Sequence, residues 1–208
     1  MPHPLLARPG LYAITDGARG NLLAACESAL AGGAVLLQYR DKTRHAARRL
    51  EEARALAVIA ARHRVPLIVN DDIELARAAG AAGVHLGEDD VDVASARTRL
   101  GPDAIIGVSC YDSLERARKL AAEGADYLAF GAFFPSPTKP NARRATTALL
   151  RDAKAIGLPL VAIGGITPDN APALIDAGAN FVAAISALFT SADIEATARR
   201  FTQPFGAA

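Results

Sequence analysis

Short apolar runs of strand length alternate with segments of helical length along this chain, and they do so eight times. The runs lie at residues 11–15, 35–39, 67–70, 84–86, 105–108, 127–130, 160–163 and 181–185. The helical segments lie at 21–31, 43–63, 73–82, 91–100, 114–123, 147–156, 168–177 and 193–201. Helix-ending glycines recur before every second run, as in Ala31-Gly32-Gly33-Ala34 and Glu123-Gly124-Ala125-Asp126. Such regular alternation means parallel strands joined by crossover helices. Eight units can close into a barrel, whereas an open doubly wound sheet usually has five or six and carries a glycine fingerprint after its first strand. The first turn here, Thr15-Asp16-Gly17-Ala18-Arg19-Gly20, is a poor match to that fingerprint. The expectation is therefore an α/β fold, a (β/α)₈ barrel formed by residues 1–208 as a single domain, near the lower size limit of the class.

A barrel of this kind does its chemistry at the carboxyl ends of its strands, so what each strand ends with matters most. The third run ends in Asn70-Asp71-Asp72 and the fourth in Gly87-Glu88-Asp89-Asp90. Carboxylates converging from two adjacent strands repel one another unless a cation lies between them, and Mg²⁺ takes one or two protein carboxylates while leaving its other positions to water and phosphates. The alternative is that these acids cap the helices that follow. The second run ends in Gln38-Tyr39-Arg40-Asp41-Lys42; alternation aims Gln38 and Arg40 to one side, with Lys42 just past the end. Read alone this is an ordinary charged loop, but cations facing carboxylates across one mouth suit a metal-bound pyrophosphate.

The fifth run ends at Ser109-Cys110. The sixth opens into the longest irregular segment, which carries Ser136, Thr138 and Lys139 among prolines, and such a loop reads as a binding loop or lid. The seventh ends in Gly164-Gly165-Ile166, with Thr167 read as the cap and Pro168 as the first residue of the next helix. After the eighth, residues 185–188 suggest a short extra helix. Phosphate binding by this pair of loops is common in barrels; the plain reading of the glycines is a tight turn. Ser109 has no histidine in its own motif and Cys110 has no evident base, which favours leaving-group stabilisation over covalent catalysis. His85, inside a run, reads as a packed core residue. Tyr12, Tyr39 and Tyr127 read as barrel filling, although Tyr39 could also stack a ligand.

Composition excludes several classes. A formal charge of +1 from interspersed residues argues against nucleic acid or membrane surfaces as partners and in favour of small molecules. No apolar run approaches membrane length. Cys26 and Cys110 have no paired spacing and the amino terminus is not signal-like, which reads as a cytoplasmic protein with reduced thiols. A homo-oligomer stays open.

Taken in order, the motifs at 11–16, 38–42, 69–72, 85–90, 107–109, 131–139, 162–166 and 185–186 resemble the thiamine-phosphate synthase family over nearly the whole chain. The resemblance implies a transferase that joins hydroxymethylpyrimidine pyrophosphate to a thiazole phosphate, carboxylated or not, releasing pyrophosphate and, from the carboxylated form, CO₂. By matching position it implies Asp71 and Asp90 on Mg²⁺, with Arg40, Asn70 and Lys139 on pyrophosphate and Lys42 in the same anion-binding motif. Gln38 and Ser109 fall on the pyrimidine side, and Ser136, Thr138, Gly165, Ile185 and Ser186 on the thiazole phosphate. Arg40, Lys42, Ser109 and Lys139 are the residues implied in catalysis. Departures from the family pattern are Tyr39 for leucine, Glu88 for glutamine, Ala132 for proline, and Ser136-Pro137 for a threonine and a variable residue. Glu88 adds negative charge beside the metal pair. Competing readings are a thiazole tautomerase-like isomerase, a phosphosugar isomerase or epimerase, and a non-catalytic phosphate-binding barrel.

Overall fold

The computed structural model describes residues 3–17, 19–135 and 143–206. Eight strands pair in chain order: β1 (Gly10–Ile14), β2 (Leu36–Tyr39), β3 (Leu67–Asn70), β4 (Gly83–Leu86), β5 (Ile105–Tyr111), β6 (Tyr127–Phe130), β7 (Leu160–Ile163) and β8 (Phe181–Ala184). All pairs are parallel and β8 returns to β1, so the expected (β/α)₈ barrel is what the chain forms. Around it lie α1 (Leu22–Ala31), α2 (Ala46–Arg62), α3 (Ile73–Ala79), α4 (Val93–Leu100), α5 (Leu114–Ala122), α6 (Thr147–Ala153), α7 (Ala171–Asp176), the short α8 (Ser186–Phe189) and α9 (Ile194–Thr202).

Period-2 alternation sorts each strand into two cores. Leu37, Tyr39, Val69, Val84, Leu86, Leu128 and Phe130 face the helices, where alanines such as Ala29, Ala53, Ala76 and Ala117 let the helix backbones approach closely. Leu36, Ile68, Ile105, Tyr127, Ala129, Val161 and Phe181 fill the barrel itself. The amino-terminal end of the barrel is tied by Arg97 of α4, which donates to Gly124 O (3.1 Å) and to Asp126 Oδ2 (2.7 Å), while Asp126 also accepts Ile106 N–H (2.7 Å).

Three expectations change in detail. The helix expected from residue 43 starts at Ala46, because the buried Asp41 holds the Thr43 N–H (2.7 Å) and the Arg48 guanidinium (2.5 Å) and keeps this stretch as a loop. The helix expected from Pro168 starts at Ala171: Asn170 accepts Thr167 N–H (2.9 Å) and donates to Gly165 O (3.1 Å), closing a turn where a first helical turn was expected. Tyr39 neither fills the barrel nor faces its mouth; it points outward and its hydroxyl donates to Glu52 on α2 (2.6 Å).

Candidate active site

The carboxyl ends of the strands surround one cavity of about 640 Å³. Gln38, Arg40 and Lys42 line it from β2, Asn70 and Asp71 from β3, Asp90 from the loop after β4, and Ser109 from β5. Gly165 lines it from the loop after β7, and Ile185 and Ser186 from the end of β8. Ser136, Thr138 and Lys139, and with them most of the expected binding loop, lie outside the described residues.

On the β2–β4 side, geometry settles which acid caps and which faces the cavity. Asp72 is the cap of α3, accepting Leu75 N–H at 2.9 Å. Asp71 adopts a left-handed backbone (φ 64°), its N–H on His85 O (2.8 Å), and this turns its carboxylate into the mouth. After β4 the cap of α4 is Asp92, on Ser95 N–H (2.8 Å), which leaves Asp90 free of that duty. Asp90 instead accepts Gly87 N–H at 2.6 Å and meets Asp71. Burial and the hydrogen bond and charge of Asp71 hold the Asp90 carboxyl above its ordinary value, against the opposing pull of Gly87 N–H and Lys42. Lys42 Nζ lies 3.3 Å from Asp71 Oδ2. Among the described residues no group of three or more His, Cys, Asp or Glu is placed to hold a metal, so this pair is the acidic centre of the mouth.

The cations are held by the backbone beneath them. Thr15, buried at the end of β1, clips Arg40 at both ends of its backbone: Arg40 N–H donates to Oγ1 (2.8 Å), and Oγ1 donates to Arg40 O (3.1 Å). Behind Lys42, burial raises the Asp41 carboxyl, but hydrogen bonds from Thr43 and Arg48 outweigh it and leave the group below its ordinary range.

The β7–β8 side is built from backbone. Gly164 (φ 103°) and Gly165 (φ 65°) take left-handed conformations. Among the described residues neither N–H donates a hydrogen bond. A Cβ on Gly165 would come within 2.4 Å of Pro135 O and 2.7 Å of Phe134 O, so the chain after β6 packs directly on this glycine. Beside it, α8 begins at Ser186 as the short extra helix expected there.

The barrel interior beneath the cavity holds what the sequence reading missed. Gln38 Nε2 donates to Tyr12 Oη (2.6 Å), Tyr12 and Tyr127 hydroxyls are 2.8 Å apart, Tyr127 Oη lies 2.9 Å from His85 Nδ1, and His85 Nε2 lies 2.9 Å from Ser109 Oγ. His85 is thus a half-buried wall of the cavity and not a packed core residue, and Ser109 does have a histidine, supplied by the neighbouring strand. The available signal was parity: Val84 and Leu86 face helices, which leaves His85 facing inward. Cys26 and Cys110 are buried free thiols, and burial pushes each up to about 12, so neither is a nucleophile at neutral pH.

With an acidic pair, flanking cations and a glycine-built wall around one barrel mouth, comparison with known proteins becomes informative. A family model described as thiamine monophosphate synthase matches residues 11–188. The chain belongs to the thiamine monophosphate synthase family. A protein of Methylobacillus flagellatus named thiamine-phosphate synthase is 55% identical over 205 residues, covering 98% of each chain. One of Xanthomonas campestris with the same name is 53% identical over 197 residues, covering 94% of this chain and 95% of its own. Among solved structures, thiamine phosphate pyrophosphorylase from Pyrococcus furiosus superposes with a TM-score of 0.88 at 31% identity, covering 97% of both chains.

Membership makes the chain a transferase of thiamine biosynthesis, and the structure shows what its departures from the family pattern do. Tyr39 points away from the cavity. Ala132 N–H donates to Arg143 O (2.8 Å), a bond that proline could not make. Glu88 turns to Arg143 (2.6 Å), whose guanidinium also lies 4.5 Å above the Tyr111 ring. Among the described residues no helix is long and apolar enough to cross a membrane.

Proposed function

We propose that this chain joins hydroxymethylpyrimidine pyrophosphate to thiazole phosphate, forming thiamine phosphate and releasing pyrophosphate, with CO₂ also lost when the thiazole is carboxylated. The observation that carries this reading is the meeting of Asp71 and Asp90 beside Lys42 and Arg40, opposite a wall of backbone at Gly164 and Gly165. It offers two anion sites of different construction across one cavity, as two phosphorylated substrates require.

The donor set fits Mg²⁺. Two carboxylates in contact, one held above its ordinary pKa by burial and by the other, gain by sharing a hard divalent ion, and Mg²⁺ usually takes one or two carboxylates from protein. Asp71 and Asp90 would hold it, and its chemistry there is neutralisation of charge on a departing pyrophosphate. Arg40, Lys42 and Asn70, with Lys139, would bind that pyrophosphate through charge-assisted hydrogen bonds that strengthen as negative charge develops. Gln38 and Ser109 would hold the pyrimidine. Gly165, Ile185 and Ser186, with Ser136 and Thr138, would hold the thiazole phosphate.

Departure of pyrophosphate leaves a pyrimidine-methyl cation stabilised by the ring amino group, and the thiazole nitrogen attacks it with its own lone pair. No protein base is needed, in keeping with the two unreactive thiols. Substrates this small and highly charged fit a cytoplasmic enzyme. The deciding experiment measures pyrophosphate release from the pyrimidine substrate. Release that needs both Mg²⁺ and thiazole phosphate supports the reading; no release favours an isomerase or a non-catalytic barrel, and release that is indifferent to thiazole phosphate marks a hydrolase instead.

A further inference from the structure

We propose that Tyr12, Tyr127 and His85 are positioning residues that fix the donor and acceptor sense of Gln38 and Ser109 toward the pyrimidine, and so select an aminopyrimidine over its oxo counterpart. The inference rests on the assignment of Gln38 and Ser109 to the pyrimidine.

Gln38 spends one of its two amide N–H groups on Tyr12 Oη, which fixes the amide nitrogen against the phenol and leaves the carbonyl oxygen for a ligand. Tyr12 is fully buried, and the partner for its single hydroxyl hydrogen is Tyr127 Oη, 2.8 Å away. Tyr127 then donates to His85 Nδ1, the imidazole keeps its proton on Nε2, and that N–H is given to Ser109 Oγ. Ser109 accepts, so its own hydrogen is turned toward the cavity. The opposite sense runs from Ser109 to His85 to Tyr127 to Tyr12. It would give Tyr12 Oη two incoming bonds and leave its own hydrogen buried without an acceptor among the described residues, a costly arrangement. Burial also pushes both phenols far above their ordinary pKa, so both remain donors at working pH.

The relay is built into the fold. A Cβ on Gly107, the β5 residue paired with His85, would fall 1.8 Å from Tyr127 Cζ and 2.3 Å from its hydroxyl; only glycine leaves a slot for the phenol. The His85 and Tyr127 rings stack with centroids 5.6 Å apart at 17°, and Tyr12 meets Tyr127 edge-on at 5.9 Å and 87°. The cavity therefore offers an acceptor at Gln38 and a donor at Ser109. An aminopyrimidine matches, giving an amino hydrogen to the carbonyl and a ring nitrogen to the hydroxyl. The oxo compound, with a carbonyl and a ring N–H, presents the reverse at both points and leaves buried groups unpaired.

Two measurements test this, the first independent of turnover. In protein labelled with ¹⁵N-histidine, at a pH where the ring is neutral, His85 should carry its proton on Nε2, and Tyr127→Phe should shift it toward a mixture of tautomers. A proton on Nδ1 in the unaltered enzyme, or no change in the variant, overturns the proposal. In the second, the kcat/KM ratio for the aminopyrimidine and oxopyrimidine pyrophosphate esters should fall about tenfold or more in Tyr127→Phe. Phe181→Leu, an apolar change in the same inner cluster, should lower Tm and leave the ratio alone. If Tyr127→Phe does not fold, Tyr12→Phe removes the same directional constraint and should lower the ratio too. An unaltered enzyme that uses neither ester defeats the proposed function, whereas an active enzyme whose ratio is insensitive to these changes defeats only this inference.

Discussion

The two sides of the barrel mouth are built by opposite means. From β2 to β4 the site is made of formally charged side chains, Arg40 and Lys42 against Asp71 and Asp90: Thr15 holds the Arg40 backbone, Asp41 holds the loop just past Lys42, His85 O holds the Asp71 N–H, and Gly87 N–H holds the Asp90 carboxylate itself. From β7 to β8 it is made of left-handed glycine backbone against which Phe134 and Pro135 pack. Function and stability are therefore separable on the first side and fused on the second. A side chain there can be exchanged without moving the fold; a glycine here cannot gain a side chain without displacing a neighbouring segment.

The largest effect should come from the acidic pair. Asp71→Asn and Asp90→Asn should each lower kcat/KM at limiting Mg²⁺ by roughly a hundredfold or more. Tm should be unchanged or slightly higher. The sign comes from Asp90, whose pKa is raised above 3.8 in the fold. Such a carboxyl favours folding below its unfolded pKa, and that contribution is lost as pH rises through the folded value. Above that value the Asp90 charge beside Asp71 is a net liability that asparagine removes. By the same sign, calorimetric Mg²⁺ affinity should weaken as pH falls through the raised Asp90 value, and Asp90→Asn should lose that dependence. A marked fall in Tm in either variant, or affinity independent of pH in the unaltered enzyme, would erase the proposed separation.

On the other side the expectation reverses. A side chain on Gly165 would block a phosphate, but its Cβ points into the Phe134 and Pro135 carbonyls and its φ of 65° is costly for a branched residue. Gly165→Val should therefore lower stability by about 2 kcal/mol or more, a fall in Tm of roughly 4–8 °C for a chain of this size. Affinity for both substrates should fall together. A stable variant that lost only thiazole phosphate would show that the glycine wall acts locally, as the acidic side does.

How far the sequence could be read follows from the same contrast. The barrel was legible because short apolar runs alternating eight times with helical segments leave few alternatives, and a barrel brings every strand end to one mouth. Arg40, Asn70, Asp71, Asp90, Ser109 and Ser186 could therefore be placed together without coordinates. What stayed hidden depends on dihedrals and register. Whether Asp71 or Asp72 turns inward is decided by one left-handed residue. The contact of His85 with Ser109 needs the pairing of β4 with β5, and Tyr127 reaches His85 only because Gly107 is bare. None of these leaves a mark in composition or spacing.

The smallest effect sharpens the comparison from within the charged side. Glu88 stands beside the acidic pair where the family pattern has glutamine, and a third carboxylate there could be expected to alter metal affinity. Its partner says otherwise: Arg143 lies 2.6 Å away, with its guanidinium stacked over Tyr111, so the negative charge is answered locally. Both side chains are about half exposed, at 51% and 43%, where an ion pair contributes about 0–1 kcal/mol and is screened by salt. Glutamine keeps a hydrogen-bond acceptor for Arg143, and the cation–π contact does not need the carboxylate. Glu88→Gln should thus move Tm by no more than about 4 °C and Mg²⁺ affinity by less than about threefold, with both differences shrinking at high ionic strength. A tenfold change in Mg²⁺ affinity would mean that Glu88 acts with Asp71 and Asp90 as one acidic centre, and the metal side would then be a three-carboxylate site with Arg143 as its competitor.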